Sequence, residues 1–367
     1  MTFEDRLEKL KTYESKQALI GKVFNFKVDL DRQEIIITKY YDAPDRTEVV
    51  IPKFVDRLRM HLFSEAKYIK KIIMGSNIKH ARAVFHSFEG KELDLTDFNT
   101  ENVTNMSCMF FLCEAKEIDL GDKFDTSKVI DMTSMFSGCR AGEINLGSKF
   151  DTSKVVDMAG MFTGCKTKSI NLGNNFDTSN VTEMGYMFAG CKSKEINLGN
   201  KFDTSNVITM CGMFTGCSTD LINLGDKFDT SSVVDMGRMF TDCNTRGIEL
   251  GDKFDTSNVK NMDNMFKRCI VGVINLGNKF YTSKVKNMDY MFSGCRAKSI
   301  DLGNNFDIHN VKRMNYMFYG CEAEIINLGY KFDTYKAVKA KGAFEGCKAK
   351  SIISKGKDVT AQLLQSK

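Results

Sequence analysis

The chain has 367 residues, 42% of them hydrophobic and 27% charged, with two prolines and a net charge of +5. This is the composition of a folded protein rather than a disordered or collagen-like one. Lys and Arg are spread along the chain among Asp and Glu, which does not argue for a nucleic-acid binder, whose basic residues should cluster on one face, and no apolar run approaches the ~20 residues that span a bilayer.

The first residues, Met1 to Lys22, place Glu4, Asp5 and Arg6 where a signal peptide needs an apolar core, so a cytoplasmic location is expected. Thr2–Ile20 reads as an amphipathic helix. Val23–Leu30 and Glu34–Tyr40 read as a hairpin around Asp31-Arg32-Gln33. Val49–Ile51, Tyr68–Met74 and the apolar pattern through Phe85 and Phe88 resemble degenerate repeats. Residues 1–90 together are expected to form an N-terminal cap.

A phenylalanine then recurs at Phe98, Phe124, Phe150, Phe176, Phe202, Phe228, Phe254, Phe280, Phe306 and Phe332, every interval being 26 residues. Ten of the 12 cysteines keep the same interval, from Cys113 to Cys347; Cys108 and Cys211 stand outside it. In the copy starting at Phe176, Asp177-Thr178-Ser179-Asn180 is rich in turn and N-cap residues. Val181, Met184, Met187, Phe188 and Cys191 come next, at the spacing of one helix face. Gly190 suits a left-handed cap. Ile196-Asn197-Leu198 alternates like a strand, and Gly199 permits a sharp turn. One repeat cannot bury both flanks of its apolar face, so the copies must stack.

The predicted fold is therefore an α/β repeat solenoid over residues 91–350, with one short parallel strand and one short helix per repeat. Helices pack about 8–10 Å apart and strands about 4.7–4.9 Å apart, a mismatch that predicts a leucine-rich-repeat-like right-handed arc. In the last repeat Ala337, Ala340 and Ala343 replace the larger inward residues, and residues 351–367 are expected to form the other cap, with Asp358–Gln365 closing as a helix.

The string Phe-Asp-Thr-Ser-Asn-Val-Thr-Glu-Met-Gly-Tyr-Met-Phe-Ala-Gly-Cys, Phe176 to Cys191, resembles the repeat of BspA-like leucine-rich repeat proteins, and the likeness recurs in register from about Leu93 to Ile353. Glu48–Pro52 and Lys71–Phe88 are similar to that family's other repeat type. The resemblance implies a parallel leucine-rich solenoid used in adhesion and protein–protein contact, often at a cell surface. It implies no catalytic residue and no cofactor.

Residue chemistry points the same way. The cysteine column lies on the apolar face with no Cys-x₂-Cys pair to suggest zinc, and reads as reduced structural thiols. Cys108 and Cys211, on the outer side, are the more reactive candidates. The Asp column, including Asp177, Asp203 and Asp229, reads as turn and cap carboxylates rather than a calcium ladder. His61, His80, His86 and His309 form no metal or triad spacing, although an active site using His61, His80 or His86 is the remote enzymatic alternative.

Candidate partner-binding residues come from the strand flank and the last repeats. Asn197, Asn223, Glu249 and Asn275 belong to an outward polar ladder, to be weighed between partner contact and a structural amide ladder. The preceding position is Glu117, Glu143, Ser169 and Glu195 early in the array, then Leu221, Gly247, Val273, Ser299 and Ile325. An apolar run on an exposed strand calls for a partner. Tyr281, Tyr290, Tyr316, Tyr319, Tyr330 and Tyr335 concentrate in the C-terminal repeats, and tyrosine is enriched at binding hot spots. The function expected is non-enzymatic protein–protein recognition or scaffolding. The alternative is a surface adhesin or exported host-interacting effector.

Overall fold

The computed structural model describes residues 1–74, 78–172, 176–199, 201–225, 227–277 and 279–365; the side chains of Ile20 and of Glu195, one of the expected acidic strand positions, lie outside the described set. The chain divides into two compact units, Met1–Asp177 and Thr178–Lys367. Each contains stacked coils of a β-solenoid with the 26-residue period.

The first unit opens with helix α1, Phe3–Ile20, whose capping box pairs the Thr2 hydroxyl with the Asp5 N–H and the Asp5 carboxylate with the Thr2 N–H. Strands β1 (Phe24–Asp29) and β2 (Glu34–Tyr40) pair antiparallel, and β4 (Arg57–Leu58) adds parallel to β2. Strands β3 (Glu48–Ile51), β5 (Lys71–Met74), β6 (Glu92–Asp94), β7 (Glu117–Asp119) and β8 (Glu143–Asn145) form one parallel sheet. Strand β9 covers Ser169–Asn171.

In the second unit, β10 spans Glu195–Asn197, and β11 (Ile222–Asn223) pairs parallel with β12 (Ile248–Glu249). In the five-stranded sheet beyond them, β13 (Ile270–Asn275), β14 (Arg296–Asp301), β15 (Ile325–Asn327) and β16 (Ser351–Ser354) run parallel. The short β17 (Lys357–Asp358) folds back antiparallel on β16. Helices α2 (Thr334–Val338) and α3 (Thr360–Leu364) have five residues each. No helix among the described residues is long and apolar enough to cross a membrane.

The expected helix per repeat does not form; among the described residues only the last repeat carries one, the five-residue α2. In the coil starting at Thr178, the N–H groups of Met184, Tyr186, Phe188 and Gly190 donate to carbonyls of the next coil at Thr209, Cys211, Met213 and Thr215, at 2.6–3.1 Å. The N–H groups of Met187, Ala189 and Cys191 instead reach back three residues, to Met184, Tyr186 and Phe188. A helix would use i→i−4 bonds throughout. Here alternate amides serve a ladder between coils and a chain of tight turns. The turns need left-handed residues, and Tyr186 (φ 57°) and Gly190 (φ 66°) supply them. The three-residue turn repeat produces the same apolar spacing as a helix face, which is why the pattern reads as one. With no helices on that flank, the mismatch behind the expected arc is absent within each unit.

The inward columns are as expected. Val181, Met184, Met187, Phe188 and Cys191, and their counterparts in the later coils down to Val285, Met288, Met291, Phe292 and Cys295, are almost fully buried. Phenylalanine rings stack from coil to coil, Phe85–Phe110–Phe136–Phe162 at 5.1–5.6 Å in the first unit. In the second unit they run from Phe188 through Phe214, Phe240, Phe266, Phe292 and Phe318 to Phe344 at 5.0–5.8 Å. These centroid distances are close to strand spacing, so a ring projecting at one coil position meets its copy face to face. A second signal escaped the repeat pattern. The buried threonines of the Asp-Thr-Ser loops donate across coils, Thr126 to the Asp151 carbonyl, Thr204 to Asp229 and Thr230 to Asp255, at 2.7–2.8 Å. Each loop is thereby tied to the next.

Candidate functional site

The Asp carboxylate at the head of each loop closes a local turn. Asp125, Asp203, Asp229 and Asp255 each accept the N–H two residues on, at 2.8–2.9 Å. Asp307 does the same for His309. These hydrogen bonds hold the Asp229 and Asp125 carboxyls below the usual range, against the opposing effect of partial burial. Asp333 instead caps α2 through the Lys336 N–H. Among the described residues no group of three His, Cys, Asp or Glu side chains could hold a metal ion.

All twelve cysteines are free thiols. Column members are buried, and Cys217 and Cys243 donate to the carbonyls of Phe188 and Phe214 at 3.3 and 2.9 Å. Burial, with Asp242 nearby, pushes the Cys269 thiol up to about 12. Contact with the Cys113 sulfur, then burial, takes Cys139 up to about 12 as well. Cys108 and Cys211 are partly exposed, but burial raises both, so neither has the lowered pKa of a reactive nucleophile.

His61 and His86 come together, with ring centroids 4.3 Å apart, and His86 stacks on Phe111 at 5.0 Å. Burial, and then His61, pull His86 below the ordinary imidazole value. Ser87 Oγ lies 3.0 Å from His86 Nδ1. His80 sits on a separate backbone ladder opposite Asn105.

On the strand flank, Leu221, Val273 and Ile325 are 41%, 46% and 44% exposed. Val273 pairs with Ser299, Ser299 with Ile325, and Ile325 with Ser351. Gly247 lies beside Leu221, close enough that an added Cβ would meet the leucine at 3.2 Å. Large apolar side chains therefore occupy alternate rungs of one column, with Gly247 and Ser299 between them and Ser351 beyond the last. Alternation lets each branched side chain lean over a small neighbour and leaves shallow gaps between the ridges.

The polar ladder beside it is half structural. Asn197, Asn223 and Asn275 use their side-chain oxygens to accept the N–H of Gly199, Gly225 and Gly277 at 2.9–3.0 Å. Those oxygens close the strand turn, and the outward part of each exposed side chain is its NH₂ group. Glu249 is exposed in the same row.

The candidate tyrosines do not form one cluster. Tyr290 and Tyr316 stack at 5.0 Å, and Tyr319 meets Tyr316 edge-on at 5.6 Å; all three lie on the turn flank. Tyr281 stands in an Asp-Thr-Ser-type loop, where its carbonyl accepts from Thr256. Tyr330 lies just past the β15 turn and is 64% exposed.

A family model described as "Mycoplasma protein of unknown function, DUF285" matches residues 60–175, 140–249, 193–270 and 245–355. Among solved structures, a leucine-rich cell surface protein from Faecalibacterium prausnitzii A2-165 aligns over 94% of this chain and 96% of its own, with 12% identity and a TM-score of 0.42. No curated protein matches the chain.

Proposed function

The chain belongs to the family described as Mycoplasma proteins of unknown function, DUF285, with repeats of the BspA-like type, and from that premise we propose that it is a non-catalytic recognition scaffold. Its strand flank in the second unit takes a protein partner. One observation carries this reading: Leu221, Val273 and Ile325 expose two-fifths or more of their surface in a single column, where the repeat needs no apolar residue. Asn197, Asn223, Glu249 and Asn275 border that column as polar contacts, and Tyr281 and Tyr330 flank it as aromatic ones. In this reading residues 1–90 and 351–367 act as caps, with α1 and the β16–β17–α3 segment covering coils that would otherwise expose core and unpaired strand edges.

The test is capture from cell lysates with the intact chain, and then affinity measurement on the captured protein. The triple change Leu221→Ser, Val273→Ser, Ile325→Ser should leave the melting temperature unchanged and weaken binding at least tenfold, since a few buried anchors dominate such interfaces. Unchanged affinity removes the column from the interface. A surface adhesin would use the same column; protease shaving of intact cells decides between an internal scaffold and a surface protein.

A further inference from the structure

The cations read as evenly spread along the chain are in fact segregated. Residues 91–250 carry 15 Lys and Arg against 23 Asp and Glu, a net −8, whereas residues 251–367 carry 20 against 11, a net +9. Both segments are copies of one repeat, so the difference lies at positions the core leaves free.

The excess gathers on the turn flank of the last coils, the side away from the strand column. Lys260, Lys286 and Lys312 occupy one repeat position and are all exposed. They sit on consecutive rungs: the Lys286 N–H donates to the Lys260 carbonyl at 2.8 Å and the Lys312 N–H to the Lys286 carbonyl at 2.9 Å. In earlier coils of this unit the same position is Thr182, Ile208 and Val234, so the fold does not ask for lysine. None of the three forms an ion pair among the described residues. Like charges on adjacent rungs repel, and Asp263, three residues from Lys260, is engaged by Arg238 and Asn264. Asp289 on the same flank is 5% exposed and already accepts from Arg313.

Further cations adjoin the row. Lys284 donates to a neutral partner, Asn258. Lys267 and Lys341 lie over the Tyr290 and Tyr316 rings at 4.8 and 5.7 Å, and Lys339 lies over Tyr335 at 3.9 Å.

We propose that this lysine row and its tyrosines dock the protein on an anionic lipid surface. Two features favour a lipid headgroup layer over a single-stranded nucleic acid. The free cations are lysines, point charges on flexible stems that suit a diffuse anionic plane, whereas planar two-point recognition of phosphate favours arginine. The faces of Tyr290 and Tyr316, which would otherwise stack on bases, are covered by each other and by Lys267 and Lys341, and Lys339 lies over Tyr335. Tyr319 and Tyr335, 44% and 67% exposed, suit an interface where a ring meets apolar matter and its hydroxyl meets water. Docking through the turn flank leaves the strand column accessible, and the inference stands independently of the role proposed for that column.

The intact chain is tested by sedimentation with vesicles of phosphatidylcholine alone and with phosphatidylglycerol added at three parts in ten. Binding is expected to the mixed vesicles only, and to be reversed by raising salt, because surface charge is screened. The variant Lys260→Gln, Lys286→Gln, Lys312→Gln should lose affinity on the order of 100-fold, at roughly fivefold per lysine. A control with the same change in net charge within the same unit, Lys298→Gln, Lys350→Gln, Lys357→Gln on or beside β14, β16 and β17, should lose no more than about twofold, since these lysines belong to the strand flank and not to the row. The proposal is overturned by absence of binding at low salt, by equal weakening in both variants, or by tighter binding to a single-stranded oligonucleotide than to the vesicles.

Discussion

Replacing Phe266 by Ala tests the central column most directly. Its ring is fully buried and stacked between Phe240 at 5.3 Å and Phe292 at 5.4 Å, with interplanar angles of 16° and 1°. Truncating a buried phenylalanine costs about 3–5 kcal/mol through lost burial and the cavity left behind. Each stacked pair is worth a further ~0.5–1.5 kcal/mol, part of which is already inside that range. Phe344 offers the comparison: it stacks on a single ring, Phe318 at 5.0 Å, and is 6% exposed. Phe344→Ala loses one stacked pair instead of two and opens a cavity that water can reach, so it should cost about 1–2 kcal/mol less. It should also loosen only nearby coils, because each coil of a solenoid leans on its neighbours alone. Urea denaturation monitored by circular dichroism gives the two totals, and native-state hydrogen exchange shows where protection is lost. Equal costs for the two variants, or less than about 1.5 kcal/mol for Phe266→Ala, would refute a continuous ring column.

Two further outcomes concern the backbone and the thiols. Gly329 has φ +70°, and a Cβ there would lie 2.0 Å from the Gly303 carbonyl oxygen, whereas one at Gly320, φ +59°, would meet nothing within 4 Å. Gly329→Ala should therefore cost about 2–4 kcal/mol and Gly320→Ala about 1–2 kcal/mol; similar urea midpoints for the two would contradict the close stacking of the strand turns. Cys269 is held at about 12 against an ordinary 9.0, so the native state favours its neutral thiol. Its stabilising effect is complete below pH 9 and is lost as pH rises from there toward 12, by up to about 1.4 kcal/mol per pH unit. Under reducing conditions the drop in stability from pH 8 to pH 10 should be smaller for Cys269→Ala than for the parent chain, and identical drops would show that the thiol is not buried.

Much of the interior was legible without coordinates. A strict 26-residue period, with the same Val, Met, Met, Phe and Cys in each copy from Val103 to Cys321, leaves stacking as the one way to bury every copy, and those columns are where the structure buries them. The turn role of the Asp-Thr-Ser loops was also readable, because Asp two residues before a free N–H closes a turn by local geometry alone. The cross-coil bond of each threonine was not readable, since it depends on the loop of the next coil lying at hydrogen-bonding distance. For the partner candidates the pattern showed an apolar column but not its ridges and gaps, which come from Leu221 meeting Gly247 and Val273 meeting Ser299. It grouped six tyrosines that the coil distributes among the turn flank, the loops and the strand turn.

What the sequence by itself determined is which side chains face inward and how often, because burial of apolar surface is a property of residue type and period. Only the tertiary structure decided the backbone that carries them. Spacings of three and four residues fit an α-helix and a run of i→i−3 turns equally well, and the choice falls to the neighbouring coil. Close-packed rings at strand-like separation leave no room for helices side by side, so alternate amides turn outward to the next coil's carbonyls. The same close stacking turns Lys260, Lys286 and Lys312, each unremarkable in its own repeat, into a single row of charge.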